Sequence, residues 1–330
     1  MKKTVLFYDS LSRNRKSAAT TLAVTDCQTV IPKTEKDFMD ALKKEKFNML
    51  VYPIEYHEVV LRVSKQNLPT PTILLSQSKI RDLHQYFSKE HSTNILAKSK
   101  DGLLNSRELI TTVRKIFNQD IFGVKHYVNY GTESEVYHIR DSEQRAEYID
   151  TVREFCNRFH LRTSTIQSVE LFCEELLMNA IYDAPRDSQG KELYGNISRK
   201  DRVILKPRDA ARMEFACDGE KLVVSVSDPF GGITWEVVQR YLARCFSGNR
   251  KITNLGDEGG GAGLGLYFCF TAANSCIINV HPDKRSEFIG IFDLNSSAKE
   301  RNRLYSSLHF FSTEQGSHSA KLLKPKEIAS

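Results

Sequence analysis

The ten residues 256–265 contain six of the seventeen glycines of this 330-residue chain, directly before an apolar run of helical character. Glycine permits positive φ and close backbone approach, and the N-terminus of a following helix offers unpaired N–H groups and a positive dipole end. These properties suit a loop that binds a polyphosphate. It is not a P-loop, because no Gly-Lys-Ser/Thr closes it, and it lacks the position after a first strand that a dinucleotide-binding fingerprint requires.

Two further motifs could face a pocket together with this loop. Glu175 and Asn179 lie four residues apart on a predicted helix, hence one turn apart on the same side, near the edge of its apolar stripe. Asp228 ends a Val-rich strand and precedes a Pro-Phe-Gly-Gly turn. Each signal is weak alone, because Glu and Asn at a helix edge are mostly solvated, and Asp and Gly are common turn formers.

The order of the three motifs is far more specific than any one of them. An ExxxN pair on a helix, an Asp with glycines after a strand, and a GxGxGL sequence that opens a helix resemble the N, G1 and G2 boxes of the GHKL ATPase family. The resemblance covers residues 142–295 and implies the α/β sandwich known as the Bergerat fold. Within the family, residues 139–184 are most similar to the bacterial anti-sigma-factor serine kinases.

The resemblance implies a Mg²⁺–ATP site and a role for each matching residue. Asn179 corresponds to the Mg²⁺ ligand, Glu175 to the general base, and Asp228 to the acid that accepts a hydrogen bond from the adenine amino group. Residues 233–260 correspond to a mobile ATP lid. The glycines carried over are Gly232 of the G1 box and Gly261, Gly263 and Gly265 of the G2 loop over the phosphates.

The sequence departs from the family pattern at three places. Phe230 replaces the first glycine of the usual DxGxG, so the turn near adenine must differ. Asp183 stands where related kinases often have His. The insertion at residues 185–207 is longer than expected, and its Arg and Lys residues fit either a solvated loop or phosphate contacts.

The first 120 residues alternate short apolar runs with amphipathic pieces, which predicts a doubly wound, five-stranded parallel sheet. An amphipathic helix, SRELITTVRKIFNQ, closes the segment. The predicted strands are TVLFY (4–8), CQTVI (27–31), FNMLVY (47–52), PTILLS (71–76) and NILAK (94–98).

This segment resembles a response-regulator receiver. Asp9, Ser76 and Lys98 match the acidic, hydroxyl and lysine positions of that family, but the third strand ends in Leu-Val-Tyr-Pro and supplies no phosphoacceptor carboxylate. The resemblance therefore implies a pseudo-receiver used for docking or dimerisation. A flavodoxin-like domain with no regulatory ancestry is the alternative.

Length and composition favour a two-domain, soluble α/β protein. We predict a receiver-like domain over 1–120, a linker over 121–141, the ATP-binding domain over 142–295 and a C-terminal extension over 296–330. The extension carries the apolar LHFF (308–311), which fits a final strand or a docking segment.

The helix that carries Glu175 is predicted to start near Ser164, with a capping-box-like Ser164-x-x-Gln167.

Charge and cysteine content limit the classes of partner and compartment. The net charge of +6 arises without a dense block of Lys and Arg, and a nucleotide or phosphate is enough to explain it. We predict no binding to nucleic acid. We also predict no membrane binding, since no run approaches the roughly 18 apolar residues of a membrane span. Seven scattered cysteines without a CxxC pair predict free thiols and a cytoplasmic protein.

The favoured hypothesis is a Mg²⁺–ATP-dependent protein serine/threonine kinase and partner switch. Its partner would be a regulatory protein, either a substrate or a sigma-factor or anti-anti-sigma-type protein, and homodimerisation stays open. The alternative is a nucleotide-gated binding module without turnover. A histidine kinase is less favoured, because His126 and His138 lie in a non-periodic segment, and a metal enzyme less still, because the nine His residues lack ligand spacing.

Overall fold

The computed structural model describes residues 2–64, 70–83, 86, 93–246, 262–295 and 306–313. All of its named strands belong to one mixed sheet of eleven strands, in the order β2-β1-β3-β4-β5-β11-β9-β10-β8-β7-β6. Helices cover both faces of this sheet, so the predicted α/β class is confirmed. Among the described helices, none is long and apolar enough to cross a membrane.

The N-terminal part of the sheet contains the five strands that the sequence predicts, all parallel to their neighbours. Helices α1 and α4 pack together, and α2 contacts α3. Leu22 of α1 and Phe38 of α2 belong to different cores, so the sheet is doubly wound as predicted. The elements are β1 (Thr4–Phe7), α1 (Ser12–Ala23), β2 (Gln28–Val30), α2 (Glu35–Lys44), β3 (Met49–Pro53), α3 (His57–Val63), β4 (Thr72–Ser76), β5 (Asn94–Ala97) and α4 (Ser106–Asn118).

The C-terminal part of the sheet is an antiparallel run from β9 through β10, β8 and β7 to β6, and its helices pack on one face. The elements are β6 (Ser134–Ile139), α5 (Arg145–Arg158), α6 (Thr163–Met178), β7 (Ala211–Cys217), β8 (Lys221–Asp228), α7 (Trp235–Phe246), α8 (Ala262–Ala272), β9 (Ser275–His281), β10 (Arg285–Asp293) and β11 (Ser307–Ser312).

Strand β11 joins the two parts of the sheet. It runs parallel to β9 along its whole length and antiparallel to β5, where Leu308 pairs with Ile95. The Ser307 hydroxyl also accepts a hydrogen bond from the Ala97 N–H at 2.9 Å. The prediction of a final strand at LHFF is confirmed, and this strand lies in the middle of the sheet although it belongs to the segment assigned to the C-terminal extension.

The segment 121–141, assigned above to a linker, is largely ordered against the sheet. It contains a 3₁₀ turn at Val124–His126 and the edge strand β6. Val124 and Tyr127 are buried in the same core as Val223 and Ile277, so this segment covers the back of the C-terminal strands. Because β6 has one solvent-exposed edge and alternates exposed with partly buried residues, its apolar signal is too weak to read as a strand.

Helix α6 lies unusually close to the sheet. Gly290 of β10 makes this possible, because a Cβ atom there would lie 2.6 Å from the Phe172 ring. The helix begins at Thr163 after Arg162, whose side chain makes no capping hydrogen bond. The predicted capping box at Ser164 is therefore wrong, since Ser164 already lies inside the first turn.

A buried polar network ties α4 to the back of the C-terminal strands. Lys115 Nζ donates to Tyr127 Oη at 2.6 Å and to Asn279 Oδ1 at 2.8 Å. Asn279 Nδ2 and the Gly123 N–H donate to Glu287 Oε2 at 2.8 and 2.9 Å. Burial lowers the pKa of Lys115, and the charge of Glu287 opposes this shift. The network links residues of both predicted domains.

Substitution of Lys115 by Met should destabilise the protein by about 3 kcal/mol, because removal of one partner leaves a buried charge uncompensated. The control is Lys125→Met, whose side chain is 69% exposed and pairs with Asp120 at 3.3 Å, and which should cost less than about 1 kcal/mol. Urea unfolding followed by circular dichroism measures both variants. Equal losses would show that Lys115 does not anchor the two parts of the sheet.

Candidate functional site

Helix α6 brings Glu175 and Asn179 one turn apart, as predicted. After Met178 the helix widens into a π turn over Asn179–Asp183, closed by a 2.8 Å hydrogen bond from the Ala184 N–H to the Asn179 carbonyl. Single π turns occur often at functional sites. Sequence reasoning missed this turn, because a 3.6-residue period treats the whole segment as a regular helix.

Two adjoining cavities open on either side of Asn179. The first, of about 260 Å³, is lined by Asn179, Asp228, Gly232 and Phe288, among others. The second, of about 620 Å³, is lined by Glu175 and again by Asn179. The structure therefore brings four predicted site residues together, with Glu175 in the neighbouring cavity and the Asn179 side chain on the boundary.

Asp228 lies at the end of β8, opposite Ser286 of β10. Its Oδ1 accepts the N–H of Phe230 at 2.9 Å and the N–H of Gly231 at 3.4 Å. Burial raises the pKa of the Asp228 carboxyl to about 6, although these hydrogen bonds and the charge of Arg186 favour its ionised form. The carboxylate is thus a partly buried hydrogen-bond acceptor in the wall of the first cavity.

The turn after Asp228 shows how the chain accommodates Phe230. Gly231 has φ of +65°, and a Cβ atom there would contact the His281 carbonyl and lie 2.7 Å from the Lys284 nitrogen. The backbone therefore needs glycine at 231, one residue later than in the family pattern. Position 230 can hold a side chain because the left-handed residue is its neighbour.

Arg186 is a site residue that sequence reasoning did not single out. A Cβ atom on Gly232 would lie 2.5 Å from Arg186 Nε, so the guanidinium lies directly against the glycine backbone. Arg186 Nη2 donates to Glu192 at 3.3 Å, and the two residues form an antiparallel bridge. The insertion thus begins as a hairpin that forms part of the wall of the first cavity. The sequence shows that the insertion contains Arg and Lys residues, but it does not show where they lie.

Glu175 offers a carboxylate for which the described part of the chain supplies no hydrogen-bond partner. Burial raises its pKa, the charge of Arg199 opposes this shift, and Glu174 adds to it. Within the described residues, no hydrogen bond or ion pair engages its side chain, which contacts Gly265 so closely that a Cβ atom there would collide with Oε2. A half-buried carboxylate with a raised pKa is suited to accept a proton.

The predicted glycine loop is described only in part. Gly261 lies outside the described residues, whereas Gly263 and Gly265 lie in the first turn of α8. The predicted lid at 233–260 contains α7, whose Arg240 and Tyr241 line the first cavity; its residues after 246 lie outside the described residues. The backbone at the start of α8 thus lies beside Glu175, as expected for glycines that open a helix.

Asp183, which stands where the kinases that this sequence resembles often have His, anchors the insertion through an ion pair with Arg199. Arg199 Nη2 donates to both of its carboxylate oxygens, at 2.8 and 3.1 Å. Burial raises the pKa of Asp183, and the charge of Arg199 opposes the shift. The acidic residue therefore serves as an anchor for the segment that carries Arg199.

Two of the residues matched to receiver positions, Asp9 and Lys98, form a buried ion pair. Lys98 Nζ lies 3.2 Å from Asp9 Oδ2, which also accepts from Asn14 Nδ2 at 3.0 Å. Ser76 ends β4 as predicted, and β3 ends in Tyr52 and Pro53 without a carboxylate. Asp9 is fully engaged inside the protein.

The chemistry of the donor groups is compatible with Mg²⁺. Among the described residues, no group of three or more His, Cys, Asp and Glu side chains could hold a metal ion. Mg²⁺ commonly keeps several waters and uses few protein ligands together with substrate phosphates. Asn179 fits such a role, since its side-chain amide forms no hydrogen bond within the described part of the chain. The following cysteines are free thiols: Cys27, Cys156, Cys173, Cys217, Cys269 and Cys276.

The comparisons with known proteins give no family. Neither the models of protein families nor the curated protein sequences match this chain. The function must therefore be argued from the geometry of the two cavities.

Replacement of Asp228 by Asn should stabilise the protein at pH 7.5 and leave its stability unchanged at pH 4. A carboxyl whose pKa is raised from 3.8 to about 6 contributes stability that is present below pH 4 and lost as pH rises through 6. The gain is up to about 3 kcal/mol. Urea unfolding at both pH values measures it, with the exposed Asp26→Asn as control; a gain independent of pH would contradict the assigned burial.

Proposed function

We propose that this protein is an ATP-binding signalling regulator, a Mg²⁺–ATP-dependent protein serine/threonine kinase and partner switch of the anti-sigma-factor type. The observation that carries the proposal is the boundary position of Asn179. On one side lies a cavity lined by a carboxylate acceptor, Asp228, and on the other lies the carboxylate of Glu175, which has no partner among the described residues.

The first cavity suits the adenosine part of ATP. Asp228 would accept the adenine amino group, which adenine has and guanine lacks at that position. Its Oδ1 accepts the backbone N–H groups of the turn, and the Ser286 side chain also hydrogen-bonds the carboxyl. The acceptor for the base would be Oδ2. The apolar walls, which include Leu176, Ile233 and Phe288, suit the faces of an aromatic base.

The phosphates would lie at the boundary between the cavities. Asn179 would hold Mg²⁺, which when bound neutralises the charge of the phosphates. Glu175 would accept the proton of the attacking hydroxyl, and the first turn of α8, with Gly263 and Gly265, would offer backbone N–H groups. Arg240, which lines the first cavity from α7, adds a positive charge.

The arrangement of the sheet supports the two family resemblances. The order β2-β1-β3-β4-β5 with parallel strands is the flavodoxin-type order shared by receivers. The antiparallel strands under α5, α6 and α8 fit a Bergerat sandwich. We propose that the N-terminal part is a pseudo-receiver for docking a regulatory protein or a second copy of this chain.

Two other functions are weighed by specific observations. In a nucleotide-gated module without turnover, the mobile elements would be the Arg186 hairpin and α7, because both border the first cavity. Nucleotide binding in that cavity would then change their positions. A histidine kinase is disfavoured, because His126 lies in a 3₁₀ turn and His138 in an edge strand. Neither histidine lies on a helical hairpin.

Calorimetric titration should show that ATP binds in a Mg²⁺-dependent manner and that Asp228→Asn weakens binding at least about tenfold, through loss of a charge-assisted hydrogen bond. Adenosine, which has no phosphate, should bind more weakly below pH 6 to the wild type, because protonation of Asp228 removes the negative charge that strengthens its hydrogen bond to the base. The Asn variant should lack this pH dependence. Unchanged affinity of Asp228→Asn would overturn the site.

Replacement of Glu175 by Gln should leave ATP affinity unchanged and lower turnover about 10²- to 10⁴-fold, the usual contribution of a general base. Release of phosphate from Mg²⁺–ATP measures turnover. The matched control is Glu170→Gln on the same helix, which pairs with Arg153 at 2.6 Å, lines neither cavity and should retain turnover. Full turnover in Glu175→Gln would place the base elsewhere, and absence of turnover in the wild type would favour the gated module.

A further inference from the structure

The second cavity is walled on one side by α6 and on the other by the insertion. Glu174, Glu175 and Met178 come from the helix, while residues 195–199 come from the insertion. The first cavity uses the adjacent helix face, with Leu176 and Ala180. Asn179 alone, among the residues described, lines both cavities.

Phosphoryl transfer requires an acceptor on the side away from the leaving nucleotide. The attacking and leaving oxygens lie roughly in line through the transferred phosphorus. If the base end of the nucleotide lies at Asp228 and its phosphates at Asn179, the acceptor must enter from the second cavity. That cavity holds the Glu175 carboxylate, so a hydroxyl placed in it meets its proton acceptor.

One hydroxyl of the chain already lies in this cavity. Ser198 lines it, is exposed, and its Oγ accepts the Lys200 N–H at 3.3 Å, which leaves its own proton free to be donated. Nothing in the described structure covers it.

The segment that carries Ser198 is held in place by the π turn of the site helix. Tyr182 Oη donates to the Arg199 carbonyl at 3.3 Å and to the Asp201 carbonyl at 2.8 Å. The Arg199 guanidinium is bound by Asp183 of the same turn. The π turn that begins with Asn179 therefore also fixes Arg199 and Asp201, which follow Ser198 closely in the sequence.

We propose that the second cavity is the acceptor site and that Ser198 is its intramolecular acceptor, phosphorylated by bound Mg²⁺–ATP. This inference rests on the proposed function. The Ser198 Oγ–P bond forms as the bond from the γ-phosphorus to the bridging oxygen breaks. The bridging oxygen keeps the electron pair and leaves on ADP, and the hydroxyl proton passes to the Glu175 carboxylate.

The product would change the anchor of the insertion. Phosphoserine carries a charge of about −1.5 to −2 at pH 7 and binds Arg well. At position 198 it would lie beside Arg199 and Lys200 and compete with Asp183 for the Arg199 guanidinium. Phosphorylation would thereby loosen the wall of the acceptor cavity and open it to a hydroxyl of another protein.

The test is incubation of the purified full-length protein with Mg²⁺–ATP, followed by mass-spectrometric mapping of phosphopeptides at several protein concentrations. Phosphate should appear at Ser198, at a rate per molecule that does not depend on concentration. Ser198→Ala should remove it, and Glu175→Gln should slow it about 10²- to 10⁴-fold. The control Ser188→Ala, at an exposed position in the same insertion, should have no effect.

Calorimetry on the same samples separates the two levels of the proposal. Ser198→Ala should bind ATP like the wild type, which shows that it is folded. A wild type that binds Mg²⁺–ATP but carries no phosphate at Ser198 would overturn this inference and leave the nucleotide site intact. A rate that rises with protein concentration would overturn the intramolecular arrangement, and failure to bind ATP would overturn both proposals.

Discussion

The carboxylate of Glu287 is fully buried near the centre of the sheet, and the two parts of the chain meet around it. An isolated buried charge is very costly, so it must be satisfied by hydrogen bonds and opposite charge. Asn279 and the Gly123 N–H bind one oxygen, and Arg285 lies 3.2 Å from the other. Lys115 reaches the same network from α4, which makes the packing of the two parts specific as well as apolar.

This constraint extends to the site through the alternation of β10. Glu287 faces α4, and its neighbours Ser286 and Phe288 face the opposite side, where they line the first cavity. Ser286 pairs in register with Asp228. The strand that forms part of the wall of the first cavity is therefore held from behind by residues of the N-terminal part. A shift of β10 by one residue would turn Glu287 towards the first cavity and Phe288 towards α4, so the network also fixes the register of the site.

The sequence predicted what local patterns determine. The N-terminal strands, α6 and the helix after the glycine run follow from runs and periods of apolar residues. Glu175, Asn179 and Asp228 were found because the order of their motifs along the chain resembles that of the N, G1 and G2 boxes. The π turn at Asn179 was missed, because it changes hydrogen bonding without changing the apolar pattern. Likewise, nothing local to Arg186 shows that its guanidinium lies against Gly232, since that contact depends on the path of the insertion.

Local sequence patterns also could not predict how the two parts of the sheet join. LHFF is recognisable as a strand, but one of its two partners, β5, lies more than two hundred positions earlier in the sequence. The candidate site residues also lower the stability of the folded protein. The pKa of both Asp228 and Glu175 is raised by burial, so each carboxylate opposes folding at neutral pH. Groups that destabilise the native state in this way are often retained for binding or catalysis.

The central position of β11 has a consequence for synthesis on the ribosome. His309 and Asn94, which lie side chain to side chain across β11 and β5, are 215 residues apart in sequence. At roughly 5–20 residues per second, about 10–40 s separate the synthesis of β5 from that of its partner. During that interval the edge of β5 is exposed to other nascent chains. The sheet of the N-terminal part therefore gains its last neighbouring strand only after residues 307–312 have been synthesised, so the N-terminal part cannot be completed as a separate domain during synthesis.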